Sequence, residues 1–263
     1  MIKFENTEVL GFEHAIRGMR NPMNSWDKSD SRFNFIETHV DEFGEFDLEN
    51  DVELGENDLA LMKRLRKAGT DHRKYLRFID VYVDINAPLY WWKEFKTYRK
   101  DRKFLDEENF YDYDDYDIEE FIEMNSCSTM HKIQSKEFTL DDFSWDHLIN
   151  LGPMADSFSS LHHTISTLNF WRNKFIETDE ARKKYFNYNG YPGVPTKKEC
   201  WWQMIQLLPS SYNQRRTVKL TYEVLNRMYH SRKNHKLDEW RDFCKWIESL
   251  PYAKELITDG EDI

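Results

Sequence analysis

Cysteine, proline and glycine are all scarce in this 263-residue chain, with three Cys, seven Pro and nine Gly. The cysteines are odd in number and far apart, at Cys127, Cys200 and Cys244, and form no CxxC. That argues against a disulfide framework or a Cys-rich zinc site and makes a reducing compartment the default. So little Gly and Pro excludes collagen-like and proline-rich architectures. No run approaches the ~18 apolar residues that a membrane span needs. The opening MIKFENTEVLGFEH lacks the basic-then-apolar order of a secretory leader. Basic excess is missing as well: 37 Lys and Arg stand against 48 Asp and Glu, for a formal charge of −11. General nucleic-acid binding needs a basic footprint to release counterions, so it is disfavoured. The expectation is a cytoplasmic protein with no membrane partner.

What is present points to a folded protein. Aromatic residues make up 16% of the chain, which argues against disorder. A chain of this length buries about 70–75% of its unfolded surface and needs no covalent staples. We expect one domain, 1–263, interrupted by an acidic surface insertion at 100–124 (KDRKFLDEENFYDYDDYDIEEFIEM). That stretch holds 11 acidic and three basic residues, and so most of the net charge. Asp112, Asp114 and Asp117 have a calcium-loop flavour, but the Gly and terminal Glu of an EF-hand are missing at the required offsets. A solvated insertion is the better reading.

Local patterns give a coarse order. IKFENTEVL suits a strand, and Phe12 to Arg20 a helix stopped by Asn21-Pro22. Residues 22–55 are polar and mixed, with room for a hairpin. Asp58 is placed to cap a helix carrying Leu59, Leu61, Met62 and Leu65, with Gly69 at its end. Val81, Val83 and Ile85 alternate as in a half-buried strand. Pro88 then suits the first turn of a helix reaching Arg99. NSCSTMHKI reads as an extended return to the core. Leu161, Ile165, Leu168, Trp171 and Phe175 recur at helical spacing. Thr196 and Glu199 form a capping box before CWWQMIQLL, which Pro209 ends. Residues 213–233 are predicted helical, with Val218, Tyr222, Leu225 and Tyr229 on one face. A last helix carries Leu237, Trp240, Phe243, Cys244 and Ile247 up to Pro251. The fold class is α+β: an antiparallel sheet flanked by helices, with a helical C-terminal half.

The common catalytic signatures are absent: no Walker A loop, GxGxxG, GxSxG or HExxH. His162 and His163 are neighbours on a helix and point to different faces, so they make no joint metal site. Between Gln214 and Lys245 nine basic residues outnumber four acidic ones. Arg presents a fork that suits phosphate oxygens. The plainer reading is two solvated helix faces with internal ion pairs.

Two stretches carry more. DHRKYLRFIDVYVDINAPLYWWKEFKTYR holds His72 before a strand, then Ala87-Pro88, then a helix ending at Arg99; Asn125 and Ser128 follow the insertion. LLPSSYNQRRTVKLTYEVLNRMYHSRKNHKLDEWR holds Leu208-Pro209, Tyr212, Arg232, His235 and Glu239-Trp240-Arg241. Together, over roughly 70–135 and 205–250, they resemble the flavin-dependent thymidylate synthases. In that family a His-bearing turn leads into a strand, an Ala-Pro and a helix ending Arg-His-Arg, then Asn-x-x-Ser-x-Arg-Tyr. The chain also looks like bacteriophage-encoded relatives, which would place it in a host cytoplasm. The resemblance implies a homotetramer in which FAD, a pyrimidine nucleotide (dUMP) and methylenetetrahydrofolate meet at subunit interfaces, with reduced nicotinamide as co-substrate. It implies Arg232 as the catalytic residue facing the nucleotide, Asn125 and Ser128 as nucleotide ligands, and His72, Arg99 and His235 beside the flavin. No cysteine attacks the pyrimidine in that chemistry.

The chain departs from the pattern in places. Thr97-Tyr98-Arg99 replaces Arg-His-Arg, and Met130-His131 replaces Arg-Tyr. Arg77-Phe78 stands for Glu-His, and Thr221 and Glu223 for an Asn and an Arg. Losing a phosphate-binding Arg forfeits about 1.5–3 kcal/mol of charge-assisted contact. The alternatives are therefore a catalytically silent module that binds or sequesters a nucleotide, or an interaction module working through the insertion.

Overall fold

The computed structural model describes residues 2–40, 46–98, 122–152 and 156–259. The chain runs β1 (Lys3–Leu10), α1 (Phe12–Arg20), β2 (Arg32–Val40), β3 (Phe46–Glu53), α2 (Glu56–Lys67) and β4 (Asp80–Pro88). It continues through α3 (Leu89–Phe95), β5 (Glu123–Ser126), α4 (Ser157–Ile176), α5 (Asp179–Tyr188) and α6 (Lys197–Leu207). It ends with β6 (Asn213–Thr221), α7 (Tyr222–Arg232), α8 (Asp238–Glu248) and a π-helical turn, Lys254–Thr258. Four strands form one sheet in the order β1-β4-β6-β5, and β2 pairs antiparallel with β3. This is the expected mixture of helices and antiparallel sheet.

The chain divides into two compact units. One comprises 1–3, 85–96 and 125–216; the other comprises 4–84, 97–124 and 217–263. In the first unit α4 and α6 pack over Ile133, Phe138, Phe143, Leu161, Ile165, Leu168 and Met204. Trp91, Trp92 and Phe95 of α3 make a buried aromatic cluster with centroids about 5 Å apart. In the second unit the helix α1 buries Phe12, Ala15, Ile16 and Met19. Gly11, just before it, takes a φ of +96°, and a Cβ there would sit 1.9 Å from the Phe78 carbonyl oxygen, so only glycine fits.

Several boundaries differ from the sequence expectation. Residues 213–221 are strand, not helix: Gln214, Arg216, Val218 and Leu220 are buried on alternate positions. Only from Tyr222 does the helical period take over, with Thr221 Oγ1 accepting the Val224 N–H as its cap. Two arginines and a lysine among the strand residues disguised its period. Asp58 is not the cap of α2. Gly55 holds that place, and Asp58 is buried one turn in, against α1. Pro88 closes β4 and precedes α3 instead of sitting inside its first turn. The helix after it gives way to a 3₁₀ turn at Lys96–Tyr98. The helix α5 lies outside the sequence expectation; Thr178 caps it, and Asp179 and Glu180 suit its N-terminal dipole.

Candidate functional site

The second unit brings the ends of the two resembling stretches together. Arg232 closes α7, and its Nε donates to the Tyr98 hydroxyl at 2.6 Å. Its guanidinium lies 5.2 Å from the Tyr98 ring centre and 4.8 Å from that of Trp240. Both rings face a cation with π density, an attraction of about 0.5–2 kcal/mol each. Trp240 is fully buried, so it is a rigid wall. His235 sits in the α7–α8 turn, its N–H donating to the Arg232 carbonyl at 2.9 Å and its ring 6.1 Å from Trp240. Its Nδ1 accepts the Leu237 N–H at 3.2 Å, which fixes the ring against the start of α8. Arg232, His235, Tyr98 and Trp240 thus form one half-buried cationic and aromatic cluster. Tyr98, noted in the sequence only as a departure, is the residue that holds Arg232.

The charge reversal at Glu223 has a local answer. Glu223 is 1% exposed and accepts from Arg73 Nε at 3.0 Å. Arg73 follows His72 directly, so the partner of Glu223 comes from the turn before β4. The signal in the sequence was the reversed charge itself, which demanded a base nearby. Thr221, the other α7 departure, spends its hydroxyl on the helix cap. His72 is exposed and opens the 3₁₀ turn Arg73–Phe78, its N–H donating to the Gly69 carbonyl at 3.0 Å. Arg99 lies outside the described residues, as do 100–121 of the acidic insertion.

Asn125 and Ser128 belong to the first unit, at the end of β5. Ser128 Oγ accepts the N–H groups of Met130 at 3.2 Å and His131 at 2.8 Å. Asn125 Oδ1 accepts the Ser126 N–H at 2.9 Å. Both side chains are exposed and shape their own loop. Behind them is a buried relay. Gln214 Nε2 donates to the Cys127 carbonyl at 2.6 Å, and Gln214 Oε1 accepts Arg216 Nη2 at 2.7 Å. The Arg216 guanidinium lies 4.3 Å from the Trp92 ring centre, and burial brings it down to about 10. Arg216, one of the basic residues between Gln214 and Lys245, is thus turned inward and braces Gln214 beneath the Cys127 backbone. On α8 the plainer reading of that patch holds: Arg241 pairs with Asp238, and Lys245 with Asp242 at 2.9 Å.

Burial raises the Cys200 thiol, and it raises Cys244 to about 12 with Glu248 adding to the effect. Both shifts disfavour the thiolate, which is the attacking form of a cysteine. None of the helices among the described residues is long and apolar enough to cross a membrane.

No protein-family model matches the chain, and no curated protein matches it. Solved structures do. A crystal structure of thymidylate synthase X from Helicobacter pylori with FAD and dUMP aligns at a TM-score of 0.55 and 14% identity, covering 98% of this chain and 97% of that one. A second structure of the flavin-dependent thymidylate synthase from the same organism, also complexed with FAD and dUMP, aligns at 0.54 and 13% identity, covering 98% of each chain. The likeness runs through nearly the whole length of both chains, and it shows that this chain shares their fold.

Proposed function

We propose that this chain is a divergent flavin-dependent thymidylate synthase-like protein, transferring a methyl group to dUMP or a related pyrimidine nucleotide. The observation that carries the reading is Arg232, seated on Tyr98 and Trp240 where the two resembling stretches meet, in a fold shared with enzymes solved with FAD and dUMP. The residues fit an anionic dinucleotide cofactor, because Arg73 neutralises Glu223 where an unpaired carboxylate would repel it. Bound FAD would supply the redox chemistry, with methylenetetrahydrofolate and reduced nicotinamide as co-substrates. Arg232 stabilises negative charge building on the pyrimidine, its fork direction set by Tyr98. Asn125 and Ser128 present polar groups to the nucleotide, carried on the Gln214 strut. His72, Arg99 and His235 are the residues this reading assigns to flavin binding. A homotetramer in a cytoplasm, bacteriophage-infected or not, belongs to the same reading.

The test is the visible spectrum of the purified protein, followed by dUMP-dependent oxidation of reduced nicotinamide. A yellow protein with dUMP-stimulated turnover is expected, falling at least about 100-fold in Arg232→Ala, the scale of losing one transition-state donor. A colourless protein that ignores added FAD rejects the proposal.

One observation favours a second reading, a silent nucleotide-binding module. Ser128 Oγ already accepts two backbone N–H groups, and Met130 stands where the family has an Arg. That reading predicts thermal stabilisation by dUMP without turnover.

A further inference from the structure

In the first unit, residues 170–202 combine exposed rings with lysines that no carboxylate answers. On α5, Lys184 and Tyr188 are exposed one turn apart, opposite the buried Arg182 and Phe186. On α6 the pattern repeats: Lys198 and Trp202 are exposed one turn apart, opposite the buried Cys200 and Met204. Tyr188 is 89% exposed, Trp202 42%, and Tyr191 in the connecting turn 52%. The two helices lie close enough for the Arg182 charge to act on the Cys200 thiol. These rings stand on a packed base. Trp171 stacks on the buried Phe186 at 6.4 Å between centroids, and Phe186 meets Tyr191 edge-on at 5.3 Å.

The uncompensated charge is of one sign. Lys183, Lys184, Lys197 and Lys198 are all exposed and have no ion pair among the described residues. Three of the acids beside them are already engaged: Glu177 with Lys174, Asp179 with Arg182, and Glu199 with the Thr196 cap. Of the acids in 170–202 that leaves Glu180. Lys197 and Lys198 also open α6, where a cation opposes the helix dipole. Their placement does nothing for the helix itself and suits an anionic partner.

The chain carries the complementary segment. Residues 104–121 (FLDEENFYDYDDYDIEEF) hold nine acidic residues, no basic one and six aromatic rings. We infer that the α5–α6 face docks this acidic, aromatic segment from a second copy of the chain. Its carboxylates meet the four lysines, and its rings meet Tyr188, Tyr191 and Trp202. A chain that bears both halves makes a head-to-tail contact between copies. Opposite charge selects the partner and speeds the encounter, while ring contacts add to its strength. Nucleic acid, the other polyanion with rings, fits less well, because a formal charge of −11 repels it. The inference is independent of the proposed function.

The test mixes isotopically light and heavy full chains, confirms subunit exchange by native mass spectrometry, and joins touching amines and carboxylates with a carbodiimide. Peptide mapping is expected to find light–heavy pairs linking Lys183, Lys184, Lys197 or Lys198 to carboxylates of 104–121. Their yield should fall at least about fivefold in Tyr188→Ser/Trp202→Ser, which keeps every lysine and changes only exposed positions. It should fall further at about 1 M salt, where the Debye length shrinks to about 3 Å. Links confined to single-isotope pairs, no links to 104–121, or links that both salt and the ring variant leave unchanged overturn the inference. So does a single-stranded oligonucleotide retained by the parent, lost in Lys183→Glu/Lys184→Glu/Lys197→Glu/Lys198→Glu, and found in place of the light–heavy links. That result gives the surface to nucleic acid.

Discussion

The two ends of α2 treat buried charge in opposite ways. Asp58, Met62 and Arg66 recur every four residues on its buried face. At the N-terminal end Asp58 is fully buried and richly served. Its Oδ1 accepts Arg20 Nε at 2.6 Å. Its Oδ2 gathers the Ser29 and Ser31 hydroxyls and the N–H groups of Asp30 and Ser31, at 2.7–3.1 Å. Eight residues on, Arg66 has one long bond to a carbonyl. The first charge is matched inside the chain, so its task is architectural: it ties α1 and the loop before β2 to α2. The second has no hydrogen-bonded carboxylate among the described residues; Asp259 acts on it only through space, so its charge is matched far less closely. Arg232 differs from both, held by a hydroxyl and two aromatic rings.

Substitutions can break this contrast. Asp58→Asn should cost most, about 3–5 kcal/mol by urea unfolding, because it leaves Arg20 buried and uncompensated. Acid should sharpen the point. Burial alone would raise the Asp58 carboxyl, but hydrogen bonds from Ser31, Ser29, Arg20 and the Asp30 N–H outweigh it and hold it below its ordinary value. A lowered folded-state value means stability present at neutral pH and lost as pH falls below about 4 and through that lowered value. The acid slope of unfolding free energy should therefore be shallower in Asp58→Asn than in the parent. Tyr98→Phe keeps the ring beside Arg232 and removes the hydrogen bond. A loss of about 1.5 kcal/mol is expected, with nucleotide-dependent turnover falling more than nucleotide affinity. Arg66→Met should have the smallest effect on the ligand-free protein: no loss, or a gain of about 1 kcal/mol, since an apolar side chain of similar length suits an unmatched buried site. A loss as large as that of Asp58→Asn would show Arg66 to be structural and erase the contrast.

Much of the framework was legible because it rests on local rules. The Phe12–Arg20 helix, the Val81–Ile85 alternation, the Thr196 capping box and the Pro209 stop all depend on residues within a turn or two. Residues 213–221 misled because polar side chains occupy a strand whose alternate positions are buried. Gln214 and Arg216 go inward only because each satisfies the other and the Cys127 carbonyl. Such compensation is invisible until β5 and β6 are paired. Asp58 misled for the same reason, since an acid near a helix start reads as a cap until α1 delivers Arg20 to it.

By itself the sequence determined the α+β class, the scarcity of cysteine, the acidic character and the two stretches that resemble one enzyme family. Periodicity, capping and composition act over short range, so they survive in a linear reading. Only the tertiary structure decided which charges are partners. Arg73 answers Glu223 across 150 residues, Tyr98 holds Arg232 across 134, and Arg66 reaches a carbonyl 191 residues away. Electrostatic matching is a property of distance in space and of local burial, and neither is written along the chain.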